Sequence, residues 1–338
     1  MVYERNKILP SVAIVIPTYN AGDGFAKLLR ELSCQTIQPQ YQLVIDSSST
    51  DDTKAIAQEH GWAVESISKE QFSHGGTRQD AVNILLKQNP YLDIVIFITQ
   101  DVKIPQIDSL ENIVEVFQHK DIAAAYGRQL PHEGASVYAA VDREFNYPPK
   151  SRIKSLADIE VLGIKTSFLS DSFAAYRISA LKSVGGFPRI DICEDMYIAG
   201  KLLLDGYKTA YVAEATVMHS HEPVLKDIWC RYGAMGRFQK DNSWIADTFG
   251  KSTGEGVKLF KYQLKRVYKE KGLAGILWIV LLDFVACYLC NRCITGLILR
   301  IIISIVVSVI AYFAILILLG NEVAKEFVVS AKKRILKR

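Results

Sequence analysis

One short segment, Ile94–Ile98, constrains the fold more than any other part of the chain. It is an unbroken apolar run, IVIFI, and Asp101 follows three residues after its end. A β-branched run of this length predicts a strand that is buried on both faces of a parallel sheet. Ligands bind at the carboxyl edge of such sheets, where a carboxylate can hold a divalent cation against a diphosphate. The alternative is a strand-ending Asp that only caps a turn.

The neighbouring segments predict a repeated alternation of strands and helices. Val12–Ile16 and Gln42–Ile45 have strand character, and Phe25–Leu32 and Thr77–Lys87 have the spacing of helices. This alternation predicts an α/β fold with a mostly parallel sheet and helices on both faces. No GxGxxG follows the first strand, which argues against an ordinary dinucleotide-binding fold. Further strands are predicted at Ala63–Ile67, Ile122–Tyr126, Ser172–Tyr176 and Thr209–Val212, further helices at Ala55–His60, Ile192–Leu204 and Val224–Phe238, and a loop or short-helix excursion at 132–160.

Charge is distributed unevenly along the 338 residues. Residues 1–250 hold 25 Lys+Arg and 31 Asp+Glu, whereas residues 251–338 hold 15 and 5. Because the basic part also contains the long apolar runs, its charge favours an anionic membrane surface over nucleic acid as the partner. The first ten residues lack the apolar core of a signal peptide, so residues 1–250 are expected in the cytoplasm. The CxxCxxC at Cys287–Cys293 lies in an apolar stretch and favours helix packing over a metal site.

Two apolar runs predict a helical hairpin in the membrane. Leu273–Cys290 and Ile301–Gly320 contain 18 and 20 residues, close to the ~20 that span the hydrocarbon core. A basic amphipathic linker at 251–272 and a basic tail at 321–338 would then lie on the cytoplasmic side. Helices lying in the interface are the alternative, because Asp283 and Arg300 add charges that are costly within a bilayer.

The polar segments at the ends of the predicted strands resemble the family 2 glycosyltransferases of the GT-A fold. The resemblance covers residues 10–245 or so. It is carried by Ile16–Asn20 (IPTYN), by Asp46 before a Ser/Asp/Thr-rich turn, by Asp101 and by Glu194-Asp195. Within the family, His74–Arg78 (HGGTR) and His219–His221 (HSH) are similar to bacterial rhamnosyltransferases of O-antigen and surface polysaccharide synthesis.

The resemblance implies a nucleotide-sugar site. Pro17, Tyr19 and Asp46 would line the slot for the base, with Asp46 accepting a charge-assisted hydrogen bond from a pyrimidine N–H. A turn-capping acid is the alternative for Asp46. Arg78 and Gln100 would lie against the donor, and Arg78 would contact the nucleotide or its phosphates. The alternative for Arg78 is a solvated residue on a helix face.

The resemblance also implies a divalent cation, Mn²⁺ or Mg²⁺. The family signature usually has two acids flanking one residue, but here Thr99 occupies the first position and leaves Asp101 alone. A second ligand is therefore expected from His219 or His221. The two histidines, with one residue between them, are expected at the end of a strand and are taken to point to opposite faces, so that only one faces the metal. His219 is preferred by analogy with other GT-A enzymes. An imidazole in the ligand set favours Mn²⁺ over Mg²⁺.

Asp195 is the general base that the resemblance implies. It would accept the proton of the attacking sugar hydroxyl, and Glu194 would orient it or bind the acceptor. Arg231 or Arg237 would help to stabilise the departing diphosphate. The alternative for Asp195 is an acid that complements the dipole at the start of a helix.

These expectations together describe an inverting glycosyltransferase at the inner membrane with its catalytic domain in the cytoplasm. The expected donor is dTDP-L-rhamnose, and the expected acceptor is a lipid-linked glycan. Two other functions remain open at this point: transfer of a hexose to polyprenyl phosphate, and a catalytically inactive sugar-nucleotide-binding membrane scaffold.

Overall fold

A computed structural model describes residues 10–292, and within them the fold is built on one mixed sheet of eight strands. Its strands are β1 (Val12–Thr18), β2 (Tyr41–Asp46), β3 (Ala63–Ser66), β4 (Ile94–Ile98), β5 (Ile122–Leu130), β6 (Arg152–Lys154), β7 (Phe173–Arg177) and β8 (Lys208–Met218).

The order of the strands is β3-β2-β1-β4-β7-β5-β8-β6. The pairs β2–β3, β1–β2, β1–β4 and β5–β8 are parallel. β7 lies between β4 and β5 and is antiparallel to both, and β6 is an antiparallel edge strand. Because β7 runs the opposite way, its first residues lie at the same edge as the carboxyl ends of β1, β2, β4, β5 and β8.

Helices cover the two faces of the sheet, so that alternate strand residues enter different cores. Ile14 and Ile16 of β1 belong to one buried cluster, and Ala13 and Val15 belong to the other. All residues of β4 are buried, as its unbroken apolar run predicts. The helices are α1 (Phe25–Ser33), α2 (Thr53–Glu59), α3 (His74–Gln88), α4 (Ser109–Glu115), α5 (Val137–Asn146), α6 (Ile159–Leu162), α7 (Ile178–Ser183), α8 (Glu194–Leu204), α9 (Leu225–Asp241), α10 (Ser243–Phe249) and α11 (Thr253–Arg292).

The described residues group into two compact units. The first unit is made of two segments, the residues up to Glu222 and Asn242–Leu259. The second unit is made of Pro223–Asp241 and the residues from Phe260 onward. The sheet lies in the first unit. The sequence placed α9 before a boundary at residue 250, whereas this grouping places α9 in the second unit.

The helix α11 is broken at Gly272, where the backbone adopts φ 62° and ψ −152°. This break falls at the predicted junction between the basic linker and the first apolar run. Across residues 10–292, every helix is too short or too polar to cross a membrane. The prediction that Leu273–Cys290 spans a membrane is therefore not confirmed, and Ile301–Gly320 and the tail at 321–338 lie outside the described residues.

Candidate active site

The carboxyl ends of β1 and β2 form the first part of the site. Asp46 ends β2 and is fully buried. The Thr18 hydroxyl donates to its Oδ1 at 3.1 Å, and the Ser49 N–H donates to its Oδ2 at 2.9 Å. These bonds hold the turn after β2 against β1. Because the Asp46 carboxylate is enclosed in this way, the geometry favours the turn-forming role over direct contact with a base.

Tyr19 follows β1 and is an exposed aromatic side chain, with 44% of its surface accessible. Gln100 holds its backbone on both sides: the Tyr19 N–H donates to Gln100 Oε1 at 2.8 Å, and Gln100 Nε2 donates to the Tyr19 carbonyl at 3.1 Å. Lys69 donates to the Tyr19 hydroxyl at 2.6 Å, and its ammonium lies 4.5 Å from the ring centroid. Gln100 therefore positions Tyr19, while Pro17 lies within β1 just before it. The sequence did not point to Lys69.

Asp101, His219 and His221 form a group of three metal-ligating side chains. The Nε2 atoms of His219 and His221 lie 3.4 and 3.2 Å from Asp101 Oδ2, and they lie 3.0 Å from each other. Ligand atoms that surround a cation at right angles, each at about 2.1 Å, would be separated by about 3 Å. The separations therefore fit one divalent cation with Asp101, His219 and His221 as ligands, and two imidazoles favour Mn²⁺ over Mg²⁺.

The expectation that only one of the two histidines would face the cation is wrong. It treated His219 and His221 as neighbours on a strand, but they are two residues apart, and strand side chains at i and i+2 point to the same face. β8 ends at Met218, and the His219 N–H still donates to the Leu130 carbonyl of β5 at 2.8 Å. The two imidazoles therefore lie on the same side of the chain, and both face Asp101.

Gln129 fixes the orientation of the His219 ring. His219 Nδ1 lies 2.9 Å from Gln129 Oε1, and Gln129 Nε2 donates to Ser170 Oγ at 2.8 Å. With its Nδ1–H donated to an amide oxygen, His219 keeps the lone pair of Nε2 for the cation. Burial lowers the pKa of His219 against the opposing effect of Asp101. Burial works to raise the pKa of Asp101, but the hydrogen bond and charge of His219, together with His221, hold that pKa well below its usual range.

Arg78 lies inside the protein rather than on the surface of the cleft. Only 4% of its side chain is accessible. Its Nε lies 2.8 Å from Asp171 Oδ2, and its Nη1 lies 2.9 Å from Glu194 Oε1 and donates to the His74 carbonyl at 3.0 Å. Burial opposes the charged form, but Glu194 and Asp171 raise the pKa of Arg78. In this arrangement Arg78 holds two carboxylates, so its predicted contact with the nucleotide stays a prediction that the geometry does not favour.

The glycines of the HGGTR segment allow α3 to approach the start of α8. Ser73 caps α3 by accepting from the Gly76 N–H. A Cβ on Gly75 would lie 2.0 Å from the Pro188 carbonyl oxygen and 3.2 Å from Glu194 Cβ. Any side chain at Gly75 would therefore push the two helices apart and separate Arg78 from Glu194.

Glu194 and Asp195 begin α8. Glu194 is buried against Arg78, and Asp195 is partly exposed. The Met196 N–H donates to Asp195 Oδ1 at 2.7 Å, and the Asp171 N–H lies 3.4 Å from Asp195 Oδ2. Burial, followed by the charges of Glu194 and Asp171, raises the pKa of Asp195 well above its usual value.

Backbone strain also concentrates at this edge of the sheet. Within the described part of the chain, positive φ at residues other than glycine occurs at Asn20, Ser48 and Cys193. Asn20 directly follows Tyr19, Ser48 lies two residues after Asp46, and Cys193 directly precedes Glu194. Such conformations persist where the surrounding structure over-determines them, and they cluster at functional sites.

The segment Ser170–Ser172 connects the metal-ligating group with Asp195. Ser170 binds Gln129, the partner of His219, and the Asp171 N–H faces Asp195. The Ser172 carbonyl accepts from the Thr99 N–H at 3.3 Å, two residues before Asp101. Asp101 and Asp195, which are far apart in sequence, thus lie at one edge of the sheet. Asp171, Gln129 and Lys69 are the site residues that the sequence analysis missed; Arg231 lies on α9 in the second unit, and its role stays a prediction.

A family model described as Glycosyl transferase family 2 matches residues 13–185. The chain belongs to glycosyltransferase family 2. It is 43% identical over 264 residues to the O-antigen chain rhamnosyltransferase WbaN of Salmonella anatum, which covers 78% of this chain and 82% of WbaN. It is 42% identical over 261 residues to the O-antigen chain rhamnosyltransferase RfbN of Salmonella typhimurium, which covers 77% of this chain and 82% of RfbN. This family 2 chain is therefore a glycosyltransferase with rhamnosyltransferase relatives, as its sequence predicted.

Solved structures confirm the α/β fold of the GT-A class. The mannosyltransferase PcManGT from Pyrobaculum calidifontis, solved in complex with GDP-Man and Mn²⁺, aligns with a TM-score of 0.52 at 17% identity over 98% of this chain and 89% of PcManGT. Residues 1–349 of TarS from S. aureus, solved with UDP, align with a TM-score of 0.50 at 16% identity over 84% of this chain and 83% of that one. At these identities the likeness concerns the fold alone.

Proposed function

We propose that this family 2 glycosyltransferase transfers L-rhamnose from dTDP-L-rhamnose to a lipid-linked glycan, with inversion at the anomeric carbon, in the synthesis of a bacterial surface polysaccharide. The observation that carries the transfer reaction is the meeting of Asp101, His219 and His221 with Asp195 at one edge of the sheet. The choice of rhamnose is supported by the identity with WbaN and RfbN over more than three quarters of the chain.

The donor would extend along this edge from Tyr19 to Asp195. Tyr19 offers an exposed ring for the base, and Lys69 beside it adds a positive charge. A divalent cation held by Asp101, His219 and His221 would neutralise charge on the diphosphate as it leaves. Bound GDP-Man with Mn²⁺ in PcManGT, and bound UDP in TarS, supports the use of a nucleotide sugar and, for PcManGT, of a cation.

Asp195 would act on the acceptor. The acceptor hydroxyl oxygen attacks the anomeric carbon, the bond from that carbon to the phosphate oxygen breaks, and the nucleoside diphosphate leaves with the bonding electrons. The hydroxyl proton moves to Asp195. A carboxylate whose pKa is raised toward the working pH is a stronger base than an exposed one, provided that it is ionised. The raised pKa of Asp195 suits this task.

The second unit would keep the enzyme beside a membrane-borne acceptor at the inner membrane, with the catalytic unit in the cytoplasm. Lys261, Lys265 and Lys269 are exposed and recur every fourth residue, so they share one face of α11. Exposed Leu273 and Trp278 follow the break at Gly272. Basic residues next to apolar ones are attracted to anionic headgroups and to the interface.

The test uses the full-length chain in membranes or detergent, with dTDP-L-rhamnose, Mn²⁺ and a lipid-linked glycan extracted from cells. Mass spectrometry of the lipid fraction should show addition of one deoxyhexose. Asp195→Asn should lower the rate by at least ~10²-fold, the usual share of general-base catalysis. Asp205→Asn is the matched control, because Asp205 caps the other end of α8 and binds the Ser183 hydroxyl at 2.8 Å.

The outcomes separate the candidate functions. Transfer of a hexose to plain polyprenyl phosphate would favour that lipid as the acceptor and would contradict the proposed glycan acceptor. Turnover only with UDP- or GDP-sugars would contradict the proposal that dTDP-L-rhamnose is the donor. Absence of transfer with every donor, together with normal glycan assembly in cells that carry Asp195→Asn, would identify a catalytically inactive scaffold.

A further inference from the structure

Asp171 lies at the centre of the contacts around Asp195, although nothing in the sequence marked it. It is 3% exposed and lies two residues before the start of β7. Its backbone N–H faces Asp195 Oδ2, its Oδ2 faces Arg78, and its Oδ1 accepts from the Tyr176 hydroxyl. The Asp171 side chain is thus held on two sides, and its backbone faces the Asp195 carboxylate.

The charges in this cluster are unequal. Arg78 supplies one positive charge to Asp171, Glu194 and Asp195, which together could carry three negative ones. Burial, assisted by Glu194 and opposed by Arg78, raises the pKa of Asp171 to about 6. The charged and titratable groups that act on the two aspartates are Arg78, Glu194, Tyr176 and, for Asp171, His74. Excess negative charge in a buried cluster disfavours ionisation of each member.

We propose that Asp171 is a positioning residue for Asp195: its N–H directs the Asp195 carboxylate, and its own negative charge, held in place by Arg78 and Tyr176, strengthens the affinity of Asp195 for the proton of the acceptor. The inference rests on the proposed function, in which Asp195 is the base. It assigns Asp171 no contact with donor or acceptor. Its effect is on where the Asp195 carboxylate lies and at which pH that group is ionised.

The direction of the effect follows from the charges. Removing the charge of Asp171 makes ionised Asp195 easier to form, so the base becomes active at lower pH and becomes a weaker base above its pKa. Removing the Tyr176 hydroxyl takes a hydrogen bond from ionised Asp171, which then accepts a proton more readily. Both changes should therefore move the acid limb of the pH profile in the same direction.

The experiment measures kcat/KM against pH for the full-length enzyme. Asp171→Asn, which keeps the backbone N–H, should move the acid limb down by about one pH unit, the scale on which a close charge acts. Tyr176→Phe should move it down by a smaller amount, and it keeps the ring that packs edge-on against Phe97 and Phe187. Tyr211→Phe is the matched control: it removes a tyrosine hydroxyl that donates to the Pro148 carbonyl at 2.7 Å, away from the cluster, and should leave the limb unchanged.

Folded, active Asp171→Asn and Tyr176→Phe enzymes with the wild-type acid limb would overturn the inference, even if both are slower. If Asp171→Asn fails to fold, Tyr176→Phe alone decides. A second readout needs no turnover: infrared difference spectra against Asp195→Asn follow the protonated carboxyl of Asp195 across pH, and its titration should move down in both variants. An inactive wild type would refute the proposed function, while this titration would still decide the role of Asp171.

Discussion

Replacing Arg78 by methionine tests the most consequential buried interaction of the fold. Methionine keeps an unbranched side chain of similar reach but removes the guanidinium that lies 2.8 Å from Asp171 and 2.9 Å from Glu194. Breaking a buried ion pair from one side costs about 3–5 kcal/mol, because a buried charge loses its partner.

An independent estimate gives the same size. Glu194, the second carboxyl group that Arg78 holds, should respond to the loss of its buried cation by taking up a proton. Holding one carboxyl protonated at pH 7, when it would ionise near pH 4 in the unfolded chain, costs about 4 kcal/mol. At pH 5 the same cost is about 1.4 kcal/mol. The loss of stability in Arg78→Met should therefore be about 4 kcal/mol at pH 7 and smaller by about 2–3 kcal/mol at pH 5.

The sign follows from linkage. A carboxyl group whose folded pKa is raised contributes stability at low pH, and that stability is lost as the pH rises toward the folded pKa. In the wild type the pKa of Asp171 is about 6, so the stability that this carboxyl contributes is lost mainly as the pH rises from about 4 to 6. Arg78→Met should extend the loss to higher pH.

Urea unfolding followed by tryptophan fluorescence at pH 5 and pH 7 measures both numbers. The matched control is Arg189→Met, because Arg189 pairs with Asp80 at 2.6 Å but 64% of its side chain is exposed. That change should cost less than about 1 kcal/mol at either pH. An Arg78→Met protein with wild-type stability, or with a loss that does not vary with pH, would refute the reasoning.

Three further predictions concern the cation, the membrane and a buried amine. Asp101→Asn should weaken Mn²⁺ binding at least ~10-fold by calorimetry, about 1.4 kcal/mol, and wild-type binding should weaken as the pH falls, because protons compete with the cation for the imidazole ligands. Changing Lys261, Lys265 and Lys269 together to Gln should weaken the free energy of binding to vesicles of anionic lipid, measured by sedimentation, by about 3 kcal/mol in total. High salt should weaken the binding of the wild type in the same way. Burial lowers the pKa of Lys154 to about 7, so wild-type stability should rise between pH 7 and 10 by up to about 1.4 kcal/mol per pH unit, and Lys154→Met should remove that rise.

Each of these predictions has an outcome that contradicts it. Unchanged Mn²⁺ affinity in Asp101→Asn would place the cation elsewhere. Vesicle binding that is insensitive to the three lysines and to salt would exclude an electrostatic attachment through this face of α11. An equal pH slope in Lys154→Met would mean that Lys154, whose ammonium donates to the carbonyls of Lys165 and Phe168, stays charged in the folded protein.

The sheet could be predicted from the sequence because its central strands are buried on both faces. Ile94–Ile98 and Val12–Ile16 have few polar atoms to compete for water, so an apolar run alone marks them. The acids that end these strands followed from the same runs, since the carboxyl ends of parallel strands meet at one edge. Asp46 and Asp101 were located in this way, whereas Glu194 and Asp195 at the start of α8 were identified through the resemblance to family 2 glycosyltransferases.

Strand direction could not be predicted, and this hid Asp171. In a wholly parallel sheet, residues that precede a strand lie at the edge opposite the ligand site. Because β7 is antiparallel to β4 and β5, the Ser170–Ser172 segment lies at the ligand edge instead. The orientation of the two histidines was mistaken for a different reason: His219 and His221 are two residues apart, and strand residues at that spacing point to the same face.

Arg78 shows that a local pattern can nevertheless point to a long-range contact. Arg78 shares the spacing of Ala81, Val82 and Leu85, at i, i+3, i+4 and i+7, and all four are buried in α3. An arginine on the apolar face of a helix cannot lose its charge, because its pKa exceeds 12, so it must meet carboxylates inside the protein. The helical period thus requires buried acids opposite α3, and their number decides the chemistry. One acid would only neutralise Arg78, whereas Asp171 and Glu194 together leave excess negative charge beside Asp195, which is the condition that a general base with a raised pKa requires.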